Sequence, residues 1–146
     1  MADFTQADNA IPLLGGVVVR LNKDLGSDPL LALTAKGAGT VNGTTQINAA
    51  SRGVRATINI TGTSGTISAV FDIEALDPAS GVWTALLTSA ALTGNGTTIL
   101  TVHPDLAASA NVIAQNLVGE QFRVKLVSGT GSTPSFNCTV GLCLLA

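Results

Sequence analysis

Apolar residues recur at every second position in four segments of this chain, a period that suits β-strands and scatters around a helix. Val54, Ala56, Ile58 and Ile60 alternate with Arg55, Thr57, Asn59 and Thr61. Beyond the small residues of 62–66, Ile67, Ala69, Phe71 and Ile73 alternate with Ser68, Val70, Asp72 and Glu74. The scheme returns at Phe122, Val124 and Leu126 and, after 128–134, at Phe136, Cys138, Val140, Leu142 and Leu144. One face of each strand therefore belongs to a core. The pattern predicts two antiparallel hairpins, 53–73 and 121–143, in an all-β antiparallel sandwich of Ig-like or jelly-roll-like type.

The remaining punctuation fits that class. Asn42-Gly43 and Asn95-Gly96 accept the positive φ of a two-residue type I′ turn, so hairpins are expected there. Asp77-Pro78-Ala79-Ser80-Gly81 should join the strand ending near Leu76 to Val82-Trp83-Thr84-Ala85-Leu86-Leu87. Short strands are also expected at 16–22 and 30–34, giving seven to nine in all. Residues 104–114, rich in Ala, favour a turn or two of helix. With 146 residues one sandwich domain is expected over 15–146, long enough for a core without disulfides or metal. It is preceded by an extended N-terminal arm over 1–14. The arm's Phe4, Ile11, Leu13 and Leu14 have no period that folds alone, and are expected to become ordered against an adjacent subunit or another protein of an assembly. Cys143 and Leu145 lie on the outward side of the last strand yet are apolar, so they too are candidate partner contacts.

Composition narrows function. Charged residues make up 11% of the chain, with 7 basic and 9 acidic side chains. No basic cluster beyond Arg52 and Arg55 offers itself to phosphates, which argues against nucleic acid. Four Phe, one Trp and no Tyr leave no aromatic platform for sugars or bases. So few charges fall below what a solitary soluble domain carries, and an assembly is the expected home. No apolar run approaches a membrane span. The opening Met-Ala-Asp-Phe lacks the basic start of a secretory leader. Cys138 and Cys143, five positions apart on one strand, point to opposite faces and cannot bridge, as befits a reduced compartment.

Reaction chemistry is sparse. His103-Pro104-Asp105 reads as a turn closing a strand. Asp72 and Glu74 sit at i and i+2, roughly 7 Å apart by strand rise, a separation known for glycosidase pairs. Without a second element or aromatic lining they read as a solvated strand face. Gly37-Ala38-Gly39 and Gly129-Thr130-Gly131 precede neither Lys-Ser/Thr nor a helix, so they are turns and not phosphate cradles. No enzyme activity, cofactor or metal is expected. The Asn-x-Ser/Thr sequons at Asn42, Asn59, Asn95 and Asn137 reflect a chain rich in Asn and Thr.

The run from Ala49 through Ile60 and Phe71-Asp72-Ile73-Glu74-Ala75-Leu76-Asp77-Pro78 to Trp83 resembles small β-sandwich proteins encoded among the structural genes of tailed bacteriophages. Thr101-Val102-His103-Pro104, Phe122-Arg123-Val124-Lys125 and Gly131-Ser132-Thr133-Pro134-Ser135-Phe136 continue the likeness, which covers about 49–145. It implies a virion protein, a head decoration or cement protein on the outer capsid surface, assembled in the host cytoplasm. Its implied partners are the major capsid protein and copies of itself, a trimer being one order the resemblance allows. A tail or head-to-tail connector subunit and a carbohydrate-binding surface module are the alternatives; ring assembly would mark the first and glycan binding the second.

Overall fold

A computed structural model describes residues 30–129 and 133–146 in full, together with the backbone of three short strands nearer the N-terminus. Those three are β1 (Ala10–Pro12), β2 (Val18–Arg20) and β3 (Lys23–Asp24). The chain continues through β4 (Leu31–Lys36), β5 (Gly39–Asn42), β6 (Gln46–Ile47), β7 (Gly53–Ser64), β8 (Ala69–Asp77) and β9 (Val82–Thr88). It ends with β10 (Gly96–Val102), β11 (Ile113–Ala114), β12 (Gln121–Ser128) and β13 (Ser135–Leu145). No helix occurs among the described residues. Two sheets pack face to face: β11-β10-β7-β13-β3, with β4 also on β13, and β5-β12-β8-β9, with β6 also on β12. The fold is an antiparallel-rich β-sandwich; the short β10–β11 pairing is parallel.

The alternation predicts the core residue by residue. Val54, Ala56, Ile58, Ile67, Phe71, Ile73, Phe122, Val124, Leu126, Phe136 and Val140 are all buried between the sheets. Three of the four Phe are fully enclosed, each contributing about 1.5–3 kcal/mol of apolar burial.

Strand partners differ from the expectation. β7 and β8 are not a hairpin: β7 lies between β10 and β13, whereas β8 lies between β12 and β9 in the other sheet. The second pair is split the same way. The two repeats instead exchange partners, β7 with β13 (Ile58↔Val140) and β8 with β12 (Ile73↔Val124). Both connections cross between layers, and Ile67 within the first is buried in the core it spans. Neither Asn-Gly pair makes a hairpin. β5 and β6 both run antiparallel to β12, so Asn42-Gly43 is an interruption in one edge. There Gly43 N–H donates to Val124 O at 2.8 Å, and a side chain at 43 would meet that carbonyl. Asn95 accepts from Thr63 N–H at 3.1 Å while the chain crosses between sheets, and Gly96 opens β10 against Ile60.

The turn at 77–81 behaves as expected. Asp77 accepts from Ala79 N–H (3.0 Å) and from the Ser80 hydroxyl (2.8 Å), and Gly81 adopts φ 71°. Those hydrogen bonds, Ser80's first, hold the Asp77 carboxyl below its ordinary range. In place of the expected helix, residues 104–112 form turns and bends, and 113–114 form β11. Their backbone is committed to β10, with Thr101 N–H donating to Val112 O and His103 N–H to Ala114 O; sheet pairing overrides a weak helical preference.

Candidate interaction surfaces

On β8 and β12, the alternation that sends Phe71, Ile73, Val124 and Leu126 inward sends Asp72, Glu74, Arg123 and Lys125 outward. Register sets Arg123 opposite Glu74 and Lys125 opposite Asp72. Arg123 Nε meets Glu74 Oε2 at 2.8 Å; Lys125 Nζ meets Glu74 Oε1 at 2.6 Å and Asp72 Oδ2 at 3.0 Å. From β9, Thr88 donates to Asp72 at 2.7 Å, and the Arg123 guanidinium stacks 4.1 Å from the Trp83 ring centroid. This corrects the reading of Asp72 and Glu74 as a solvated face: both are buried, the Glu74 side chain being 5% exposed. The cross-strand cations and Thr88 lie against them, and the indole lies over Arg123. The cluster balances two positive charges with two negative ones and makes a rigid patch.

Hydrogen bonds donated to Glu74 and then Asp72 raise the Lys125 pKa from its ordinary 10.5, and burial raises Cys138 from 9.0 to about 11. In both cases the native state holds its proton longer than the unfolded chain does, so stability falls as pH rises. The Cys138 contribution is complete below pH 9 and is lost toward 11, and that of Lys125 is lost from 10.5 upward. Urea midpoints should hold to about pH 9 and then decline. Cys138→Ala should remove the earlier part of the decline and Lys125→Met the later; a profile unchanged in both variants contradicts the assignment.

The outer face of the other sheet is chemically different. β7, β10 and β13 contain one charge between them, Arg55. Cross-strand rows run Thr97–Asn59–Thr139–Ala32 and Ile99–Thr57–Gly141, and Thr97 donates to Asn59 Oδ1 at 3.2 Å. Thr57, Asn59, Thr61, Thr97 and Thr139 are exposed, as is Ile99. Threonine is stiff at χ1, so burying this face costs little side-chain entropy. Sequence reading placed β7's polar residues outward but missed that β10 and β13 extend them into one neutral surface, because that depends on which strands are neighbours.

Of the predicted contact residues, Cys143 and Leu145 are half-buried at the end of β13. There β3 pairs with Cys143 and Leu144, so the N-terminal segment covers this edge. Ile11 lies in β1, which pairs with β2. Phe4, Leu13 and Leu14 lie outside the described residues. His103 closes β10 in a turn, its Nδ1 accepting from Asp105 N–H and its Nε2 2.9 Å from the Ala146 carbonyl oxygen. His103 directly follows β10 of one sheet, Asp72 and Glu74 lie on β8 of the other, and the fold does not bring them together.

No protein-family model and no curated protein matches the sequence. Among solved structures the chain is similar to that of the infectious bursal disease virus Gx strain, with TM-score 0.48 and 12% identity over 92% of this chain. It is also similar to the VP2 subviral particle of infectious bursal disease virus, with TM-score 0.45 and 14% identity over 92% of this chain. The chain spans 36% and 37% of the length of those two chains.

Proposed function

We propose that this protein is a structural component of a virion, a decoration or cement protein that binds the outer surface of a phage head, and that it is not an enzyme. The observation that carries the reading is the neutral threonine-rich face of β7, β10 and β13, beside the resemblance at 49–145. Burying that face strips water from hydroxyls and short aliphatics instead of charges, and each hydroxyl needs only one new hydrogen bond to offset its desolvation. Its partners on this reading are the major capsid protein and other copies of the chain. A protein that binds only the assembled lattice stabilises it by mass action, about 2.7 kcal/mol per site at a hundred times its dissociation constant. Asp72 and Glu74, held by cations, serve the rigidity of the opposite face.

Purified protein should co-sediment with expanded heads lacking it. Thr57→Glu combined with Thr139→Glu puts two like charges on the face at exposed positions. The variant should melt as the wild type does and lose at least about tenfold in head affinity, 1.4 kcal/mol. If it binds undiminished, the face is not the seat; if the wild type fails to sediment with heads, the reading itself is wrong.

A further inference from the structure

The same four residues, Asn-Gly-Thr-Thr, occur at 42–45 and again at 95–98, and the fold treats the two copies differently. Asn42 ends β5 opposite Lys125, and Gly43 is buried with its N–H bound to Val124 O at 2.8 Å. That site is crowded: a Cβ at 43 would lie 2.9 Å from the Val124 carbonyl oxygen and 3.3 Å from Leu30. Asn95 and Gly96 are both exposed where the chain enters β10, and nothing lies within 4 Å of a Cβ built at Gly94 or Gly96. Gly96 is the first rung of β10, opposite Ile60. End rungs open more readily than central ones, and a glycine nitrogen has no side chain beside it to hinder close approach. The Asn95 amide is also held for attack, its Oδ1 accepting from Thr63 N–H at 3.1 Å.

We propose that Asn95 is a site of spontaneous modification, at which the Gly96 nitrogen turns the side-chain amide into a carboxylate by hydrolytic deamidation. A solvent base takes the Gly96 amide proton and the nitrogen attacks Asn95 Cγ. The bond from Cγ to the side-chain nitrogen then breaks, and that nitrogen leaves as ammonia with a proton from solvent, closing a five-membered imide. Water opens the imide at either carbonyl, giving aspartate or isoaspartate. In sum, amide and water become carboxylate and ammonium, with nothing oxidised or reduced. The attack drives negative charge onto Asn95 Oδ1, where the Thr63 N–H stands as an oxyanion donor. At Asn42 the same closure would strip the hydrogen from Gly43 N and leave Val124 O without that donor inside a crowded, buried site. The product adds one negative charge to a chain of formal net charge −2, two residues before Thr97 of the neutral face. Isoaspartate also inserts a methylene into the backbone at the entry to β10.

The two identical segments make the chain its own control. Folded full-length protein kept in mildly alkaline buffer should convert Asn95 at least about tenfold faster than Asn42, a barrier difference of about 1.4 kcal/mol. In concentrated urea, where both segments meet the same solvent, the two rates should converge. Peptide mapping by mass spectrometry reads each site, and enzymatic methylation of isoaspartate reads the linkage. Ammonium should appear in step with the loss of Asn95, and Asn95→Gln should remove that fast release. Three results each overturn the proposal: Asn42 reacting as fast as Asn95 in the folded protein, Asn95 intact when the urea sample has converted, or aspartate formed without isoaspartate. The last would mean direct hydrolysis by water instead of attack by Gly96. None of these readouts uses heads, so this inference and the proposed function fail separately.

Discussion

Ile58→Asp protein should not fold. Ile58 is fully buried in the middle of β7, with Thr98 on one neighbouring strand and Val140 on the other. A carboxylate there faces the second sheet's apolar side chains. Burying an unpaired polar or charged group costs several kcal/mol, and the lost packing of a large aliphatic adds about 2–5 kcal/mol more. Against a net stability of about 5–15 kcal/mol, that total removes the native state. Ile58→Val, which keeps the shape and deletes one methyl, should cost only about 0.5–1.5 kcal/mol. The check is the far-ultraviolet dichroism and thermal melt of each variant. A cooperatively melting Ile58→Asp protein would mean that β7 does not lie between β10 and β13.

Truncating Glu74 should be the most damaging change on the outer surface of the second sheet. Its two carboxylate oxygens hold separate cations, Arg123 and Lys125, whose side chains are 18% and 24% exposed. Removing one partner of a buried pair typically costs about 3–5 kcal/mol. Because both cations still reach water, Glu74→Ala should fall at the low end, about 3 kcal/mol, and Glu74→Gln below that. Arg123 also stacks on Trp83, the sole tryptophan, so native-state fluorescence should change in Glu74→Ala. Urea midpoints give the energies. A loss below about 0.5 kcal/mol, the scale of an ordinary surface substitution, would mean that the cluster does not brace this face.

Residue-level alternation in the sequence determined which side chains point into the core. Every residue assigned inward on the four patterned strands is buried, because the period of two is a local property of extended backbone. The turn at 77–81 was legible for a similar reason, since Asp77, Ser80 and Gly81 complete their hydrogen bonds and positive φ within five residues. Strand partnership was not local. An alternating strand has the same inner face whether its successor pairs beside it or crosses to the opposite layer. The connections 65–68 and 129–134 are long enough to span the ~10 Å between sheets. The decision rests on β13 and β12, about eighty and about fifty residues away in sequence, which pair edge to edge with β7 and β8. The same holds for the surfaces. Asp72 and Glu74 look solvated in sequence and become buried because Arg123 and Lys125 arrive opposite them; the neutral face exists because three strands with one charge between them lie side by side. Periodicity assigns a face from the chain alone, but a neighbour is chosen by the free energy of the whole packed arrangement, and that only the tertiary structure decided.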